Sequence, residues 1–206
     1  MNNILFLSLI TFLLGSCETP KNGETISKKQ AFRAMHDTLI GIKGCELAKC
    51  ENTLNGINYS YTQIKVSVIP SEDGVGEEIY IADAVKKDTF WIENIEAHHF
   101  AGVKQDLLFV DNGTAPNGRS VLIYDINQKK LLYKRRYEAE LNINENKLNY
   151  LTPVDTRRIR LSADVCPNKD KWEKQGLGVG YGKYMAFDLA TKEEIELGAY
   201  GCYPIQ

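Results

Sequence analysis

Hydrophobic positions along the chain change period twice. Residues 4–15 form an apolar run interrupted only by Ser8 and Thr11. In residues 26–40 the spacing is helical: Phe32, Met35 and Leu39 recur on one side, Ser27 with Gln30 forms a capping box, and Gly41 marks the stop. From residue 59 onward the period falls to two, beginning with Ile64, Val66 and Val68 and interrupted by Pro70. Further alternating segments lie at 78–82, 89–92, 107–110, 120–124, 131–137, 140–143, 147–151, 158–161, 179–187 and 194–197, with a hairpin tip at Asn144, Glu145 and Asn146. This pattern predicts an all-β fold: one antiparallel domain over residues 26–206 carrying a single short N-terminal helix. Helix–strand alternation is missing, which argues against an α/β nucleotide-binding fold.

A weak repeat runs through the strands. Asp83, Asp125 and Asp188 each end an apolar strand and open a lysine-bearing turn, and an apolar residue follows seven positions later: Phe90, Leu132 and Ile195. A turn aspartate bonds backbone amides ahead of it, which accounts for its position without a function. The repeat resembles the outer hairpin of β-propeller blades, whose period is about 40–50 residues. The first aspartate spacing is 42, but the second is 63. The expected architecture is therefore a sandwich or open barrel, or else propeller-like hairpin repeats.

Composition narrows the setting. In 206 residues there are 25 Lys+Arg against 27 Asp+Glu, a formal net charge of −2. No bulk positive field exists for nucleic acid. The 4–15 run is too short to span a bilayer, which needs about 20 residues. It has the length of a secretory h-region and ends at Leu14, Gly15, Ser16 and Cys17. Those four residues resemble the lipobox of bacterial lipoproteins. The resemblance implies that residues 1–16 are a signal peptide, that Cys17 becomes the acylated first residue, and that 17–25 is a polar tether. Three acyl chains at ~0.8 kcal/mol per buried CH₂ would anchor the protein by tens of kcal/mol. In the sorting rule of such lipoproteins, Glu18 after the cysteine favours the outer membrane. The expected location is the bacterial envelope.

Four further cysteines fit an oxidising compartment: Cys45, Cys50, Cys166 and Cys202. Of three possible connectivities, the preferred one pairs Cys45 with Cys50 and Cys166 with Cys202, worth ~2 and ~4 kcal/mol in the chain-entropy picture. A zinc site from Cys45, Cys50 and His36 is one ligand short. His36 borders the helical stripe and is read as a packed histidine. No metal or cofactor is expected.

Candidate chemistry is sparse. Gly176, Gly178, Gly180 and Gly182 match neither a dinucleotide fingerprint nor a Walker A loop, but in a strand they would bare one face for packing or for a ligand groove. His98 and His99 form the one histidine pair, read as surface residues at a loop end, with a general base as the sharper alternative. Residues 111–118 form an oxygen-rich connection without EF-hand spacing. Ser120 lacks a nucleophile elbow. The basic residues Lys129, Lys130, Lys134, Arg135 and Arg136 read as solvated hairpin flanks.

Tyrosine is abundant, 11 of 206 residues, and Tyr181, Tyr184, Tyr200 and Tyr203 gather near Cys202. They are the expected recognition surface. The sequence thus points to a non-catalytic, lipid-anchored domain that binds an envelope protein or glycan, with an inhibitor or immunity protein as one form. An envelope hydrolase using His98 or His99 with a carboxylate such as Asp111 is the alternative.

Overall fold

The computed structural model describes residues 47–94, 96–115 and 117–205. The expected signal peptide, Cys17, the expected tether and helix at 26–40, His36 and Cys45 lie outside the described residues. Within them the chain is all-β and antiparallel, as its period-two pattern predicts. Strands β1 (Leu47–Thr53), β2 (Gly56–Tyr61), β3 (Ile64–Pro70), β4 (Glu77–Asp83) and β5 (Asp88–Ile92) form one sheet in sequential order. A second sheet runs in sequential order through β6 (His98–Lys104), β7 (Leu107–Asn112), β8 (Arg119–Asp125), β9 (Lys130–Asn144), β10 (Lys147–Pro153), β11 (Gly178–Asp188) and β12 (Glu193–Ile205).

Strand β9 serves two neighbours. Residues 130–137 pair with β8, whereas 138–144 pair with β10, where the register slips between Asn149 and Leu151. Apart from β1, which pairs with β2 at the edge of the first sheet, the described chain reads as three four-stranded meanders: β2–β5, β6 to the first half of β9, and the second half of β9 to β12. Strand order is sequential throughout. Hairpin repeats, rather than a two-sheet sandwich with crossed-over strands, describe it.

The turns show why the repeat exists. Asp83 Oδ1 accepts the amides of Val85 and Lys86, each at 2.9 Å. Asp188 Oδ1 does the same for Ala190 at 2.9 Å and Thr191 at 3.1 Å, and Asp125 Oδ1 accepts from Gln128 at 2.9 Å. Four residues after each aspartate, Lys87, Lys129 and Lys192 take left-handed φ values of 54°, 53° and 61°. The residue after each aspartate donates to the preceding hairpin: Ala84 to Gln63, Ile126 to Asp106, Leu189 to Asn146. The 63-residue spacing has a simple cause. The third meander inserts residues 154–177 where the others use 71–76 and 113–118. That insert holds two 3₁₀ turns (Thr156–Arg158 and Ala163–Val165) and helix α1 (Lys169–Lys174). The strand expected at 158–161 is absent.

The meanders stack in layers. Val66, Val68, Ile79 and Ile81 of the first pack against Leu108, Val110 and Leu122 of the second. On the opposite side, Leu107, Phe109, Val121 and Ile123 pack against Leu148, Tyr150, Met185 and Phe187 of the third. All six residues of β7 are buried, because this strand is covered on both faces. At ~25 cal/mol per Å² of apolar surface, two such seams are the main source of stability.

Candidate functional site

The glycine strand, the tyrosines and the insert meet at β11 and β12. Cys166 of the insert is bonded to Cys202 of β12, with Cα atoms 5.3 Å apart, so the expected second disulfide is present. Tyr181 lies opposite Cys202 and Lys183 opposite Tyr200, while Gly180 lies opposite Tyr203 and Gly182 opposite Gly201. Cross-strand partners share a face. Tyr181 and Tyr200 therefore stand on the disulfide-bearing face, and Tyr203 and Tyr184 on the other. The four tyrosines do not form one surface. Tyr184 is 42 % exposed, but Tyr203 is buried.

The glycines are explained by packing. A Cβ on Gly180 would lie 2.4 Å from the Tyr203 ring, and one on Gly182 would lie 2.6 Å from Leu151 Cγ and 2.7 Å from the Thr152 carbonyl. The Tyr184 ring likewise covers Gly201. The bare face is filled by neighbouring side chains.

The histidine pair is not at a surface loop. His98 and His99 open β6 and are 5 % and 2 % exposed. Strand pairing sets His99 opposite Asp111, and His98 opposite Asn112. The structure does bring an imidazole and the suspected carboxylate together. Asp111, however, is 1 % exposed and engaged: Arg119 Nε donates to its Oδ1 at 3.0 Å and the Tyr137 hydroxyl at 2.8 Å, and Arg119 Nη2 ion-pairs with its other oxygen. Burial and the Asp111 charge push the Tyr137 phenol far above its usual range, so it stays a donor. His98 Nδ1 donates to the Glu93 carbonyl at 2.9 Å, and burial holds its pKa below the ordinary value. Arg119 and Tyr137 were not legible as partners of Asp111, because the cluster spans three strands.

The remaining candidates are accounted for locally. Arg136 pairs with buried Glu138, Arg135 with Glu194, and Lys134 with Glu96, as expected of hairpin flanks. Among the described residues, no three His, Cys, Asp or Glu side chains converge as metal ligands. Cys50 lies half-buried in β1.

Two features were not singled out by sequence. A groove of about 350 Å³ opens between the first two layers, bordered by Tyr61, Ile64, Asp83, Val103, Gln105 and Asp106. It lies where the turns of both meanders emerge, so it is a product of their stacking. The second feature is an exposed aromatic pair. Tyr80 and Trp91 are cross-strand partners whose ring centroids lie 6.0 Å apart at 13°, with Trp91 51 % exposed.

No model of a known protein family matches the chain, and no curated protein does. Among solved structures it is similar to the β-propeller domain of the Trilobed protease from Pyrococcus furiosus, described as having an open velcro topology. Identity is 14 % and the TM-score 0.34, over 77 % of this chain and 42 % of that one. The chain thus spans less than half of that chain's length, and so distant a likeness carries no activity.

Proposed function

We propose that the protein is a lipid-anchored lipoprotein of the bacterial envelope whose β-rich body is a non-catalytic binding module for another envelope protein or a glycan. Support for the anchor is the motif Leu14, Gly15, Ser16, Cys17 after an apolar run of h-region length. Support for a binding role over hydrolysis is the state of the His99–Asp111 pair. A general base must reach the proton it abstracts. His99 and Asp111 are sealed between layers, with Asp111 held by Arg119 and Tyr137. That is the observation that carries the reading.

The recognition surface is assigned to the disulfide-bearing face around Tyr181 and Tyr200, which the Cys166–Cys202 bond ties to the insert. Aromatic rings with polar tips on a stapled strand pair offer contact area at low entropy cost.

Two measurements test this. Mass spectrometry of membrane-bound protein should find acyl groups on Cys17; a mature chain with unmodified Cys17 refutes the anchor. Capture from envelope extract should recover one protein in stoichiometric amount or a defined glycan, lost when Tyr181 and Tyr200 are both changed to alanine. Turnover of an ester or glycan substrate that disappears in His99→Gln would establish the hydrolase instead.

A further inference from the structure

The three layers obey one stacking rule, and among the described residues it is left unfinished at both sides. In each meander, the strand that ends at the turn aspartate and the strand paired before it present equivalent faces. One face turns back toward the preceding layer: Leu108, Val110 and Leu122 in the second, Leu148, Tyr150 and Met185 in the third. Each seam is also fastened electrostatically by the left-handed lysine of the later meander. Lys129 reaches back to Asp88, and Lys192 to Asp125 at 2.8 Å and Asp106 at 3.6 Å. Burial pushes the Asp125 pKa upward, but the Lys192 ammonium and the Gln128 amide outweigh it and hold it below the ordinary value.

The first meander has the same backward face and the same lysine, with no earlier layer among the described residues. Positions that are Leu122 and Met185 in the later layers are here Tyr80, which lies beside Trp91, and the lysine is Lys87. The third meander has the opposite half. Its forward face carries Leu151, Tyr184 and Ile195, of which Tyr184 and Ile195 are exposed by 42 % and 36 %. Its turn carries Asp188 and Glu193, the counterparts of Asp125 and Asp88. The two ends are complementary at their turns, with Lys87 on one and Asp188 and Glu193 beside Lys147 on the other; the first face carries Tyr80, bonded to Glu78, and Trp91, and the second Tyr184 and Ile195.

We infer that two copies of this chain associate head to tail, the first meander of one stacking on the third meander of the other. Lys87 then meets Glu193 or Asp188 of the second copy, as Lys129 meets Asp88 within one chain. Tyr80 and Trp91 cover Tyr184 and Ile195. A contact of this kind is heterologous, so it closes into a ring or continues as an open array according to the rotation between copies. The inference is independent of whether Cys17 carries lipid.

Sedimentation equilibrium of the full chain in density-matched detergent, from about 1 to 200 μM, tests it. The expected mass exceeds that of a single chain and rises with concentration. Lys87→Glu and Glu193→Lys should each weaken association on the order of tenfold. Both changes in one chain should restore it, because the pair is re-formed with its charges exchanged. Trp91→Arg should weaken it by at least tenfold. Circular dichroism of each variant separates lost association from lost folding, and the restoring double variant does so independently. A single chain at every concentration overturns the inference, whether the Trp91 face is then covered by residues 1–46 or left open to another ligand. An oligomer indifferent to Lys87→Glu, Glu193→Lys and Trp91→Arg also overturns it.

Discussion

Alanine at Gly178, Gly180, Gly182 and Gly201 of β11 and β12 tests whether that bare face is packing or a ligand groove. None of Gly178, Gly180, Gly182 and Gly201 has a left-handed φ, so space alone decides the cost. At Gly180 the new Cβ meets Tyr203 Cε2 and Cζ at 2.4 Å, more than 1 Å inside a carbon–carbon contact of about 3.5–4.0 Å. Tyr203 is 6 % exposed and has no outward escape, so overpacking should cost about 1–3 kcal/mol. Gly182 is worse. Its Cβ meets the Thr152 carbonyl at 2.7 Å, and a backbone atom cannot rotate away; about 3 kcal/mol is expected. At Gly201 the obstacle is the Tyr184 hydroxyl at 2.7 Å, the far end of an exposed ring that can swing out, so the cost should be below about 1 kcal/mol. Gly178 meets Ile205 Cβ at 3.4 Å and its carbonyl oxygen at 3.7 Å, ordinary contacts, and alanine there should stabilise by about 0.4–1 kcal/mol through the unfolded chain. Urea unfolding with the disulfide intact reads these as shifts in midpoint at constant slope. The order of loss should be 182, 180, 201, 178. With Tyr203→Leu in place, Gly180→Ala should cost much less. If alanine at 180 and 182 is as benign as at 178, and instead abolishes ligand capture, the packing account is wrong and the face is a binding groove.

Two further outcomes follow from the same geometry. Changing Cys166 and Cys202 to serine opens a bond across a sequence separation of 36 and should cost about 4 kcal/mol, read by thermal unfolding with and without reductant; an unchanged midpoint would show that the insert is held by other contacts. His98 predicts acid sensitivity. Its folded pKa lies below the ordinary 6.5 because of burial, so the unfolded chain takes up the proton first. The His98 contribution is therefore full above pH 6.5 and is lost as the pH falls from there through the folded value. Unfolding midpoints measured from pH 8 to 4 should fall over that window and fall less in His98→Asn; equal slopes would place the acid transition elsewhere.

Much of the fold was legible because strands leave a period-two trace and turn aspartates leave a recurring position. The segments at 64–68, 78–82, 89–92, 107–110 and 120–124 all became strands. The trace failed where local pattern and burial part company. His98 and His99 looked like surface residues because polar side chains normally face water, yet they open a strand covered from both sides, where hydrogen bonds and stacking compensate. The expected strand at 158–161 fell in an insert that a disulfide, rather than a sheet, holds in place. The candidate site was legible only in part. Proximity of Tyr181, Tyr184, Tyr200 and Tyr203 in sequence suggested one surface, but alternation divides them between two faces.

Residue types alone settled the all-β class and the turn chemistry at Asp83, Asp125 and Asp188, which are local properties of pleat and hydrogen-bond reach. They left three connectivities open to the cysteines, of which the fold contains Cys166–Cys202. Residues 1–17 carry the lipid-anchor reading by themselves, and it rests on them alone. Tertiary structure decided what no local window holds. Stacking three meanders buried His99 and Asp111 beside Arg119 and Tyr137, opened the groove between the first two layers, and turned Lys129 and Lys192 into fasteners for the layer before each. These are consequences of which faces meet, and faces meet only after the chain has folded back on itself.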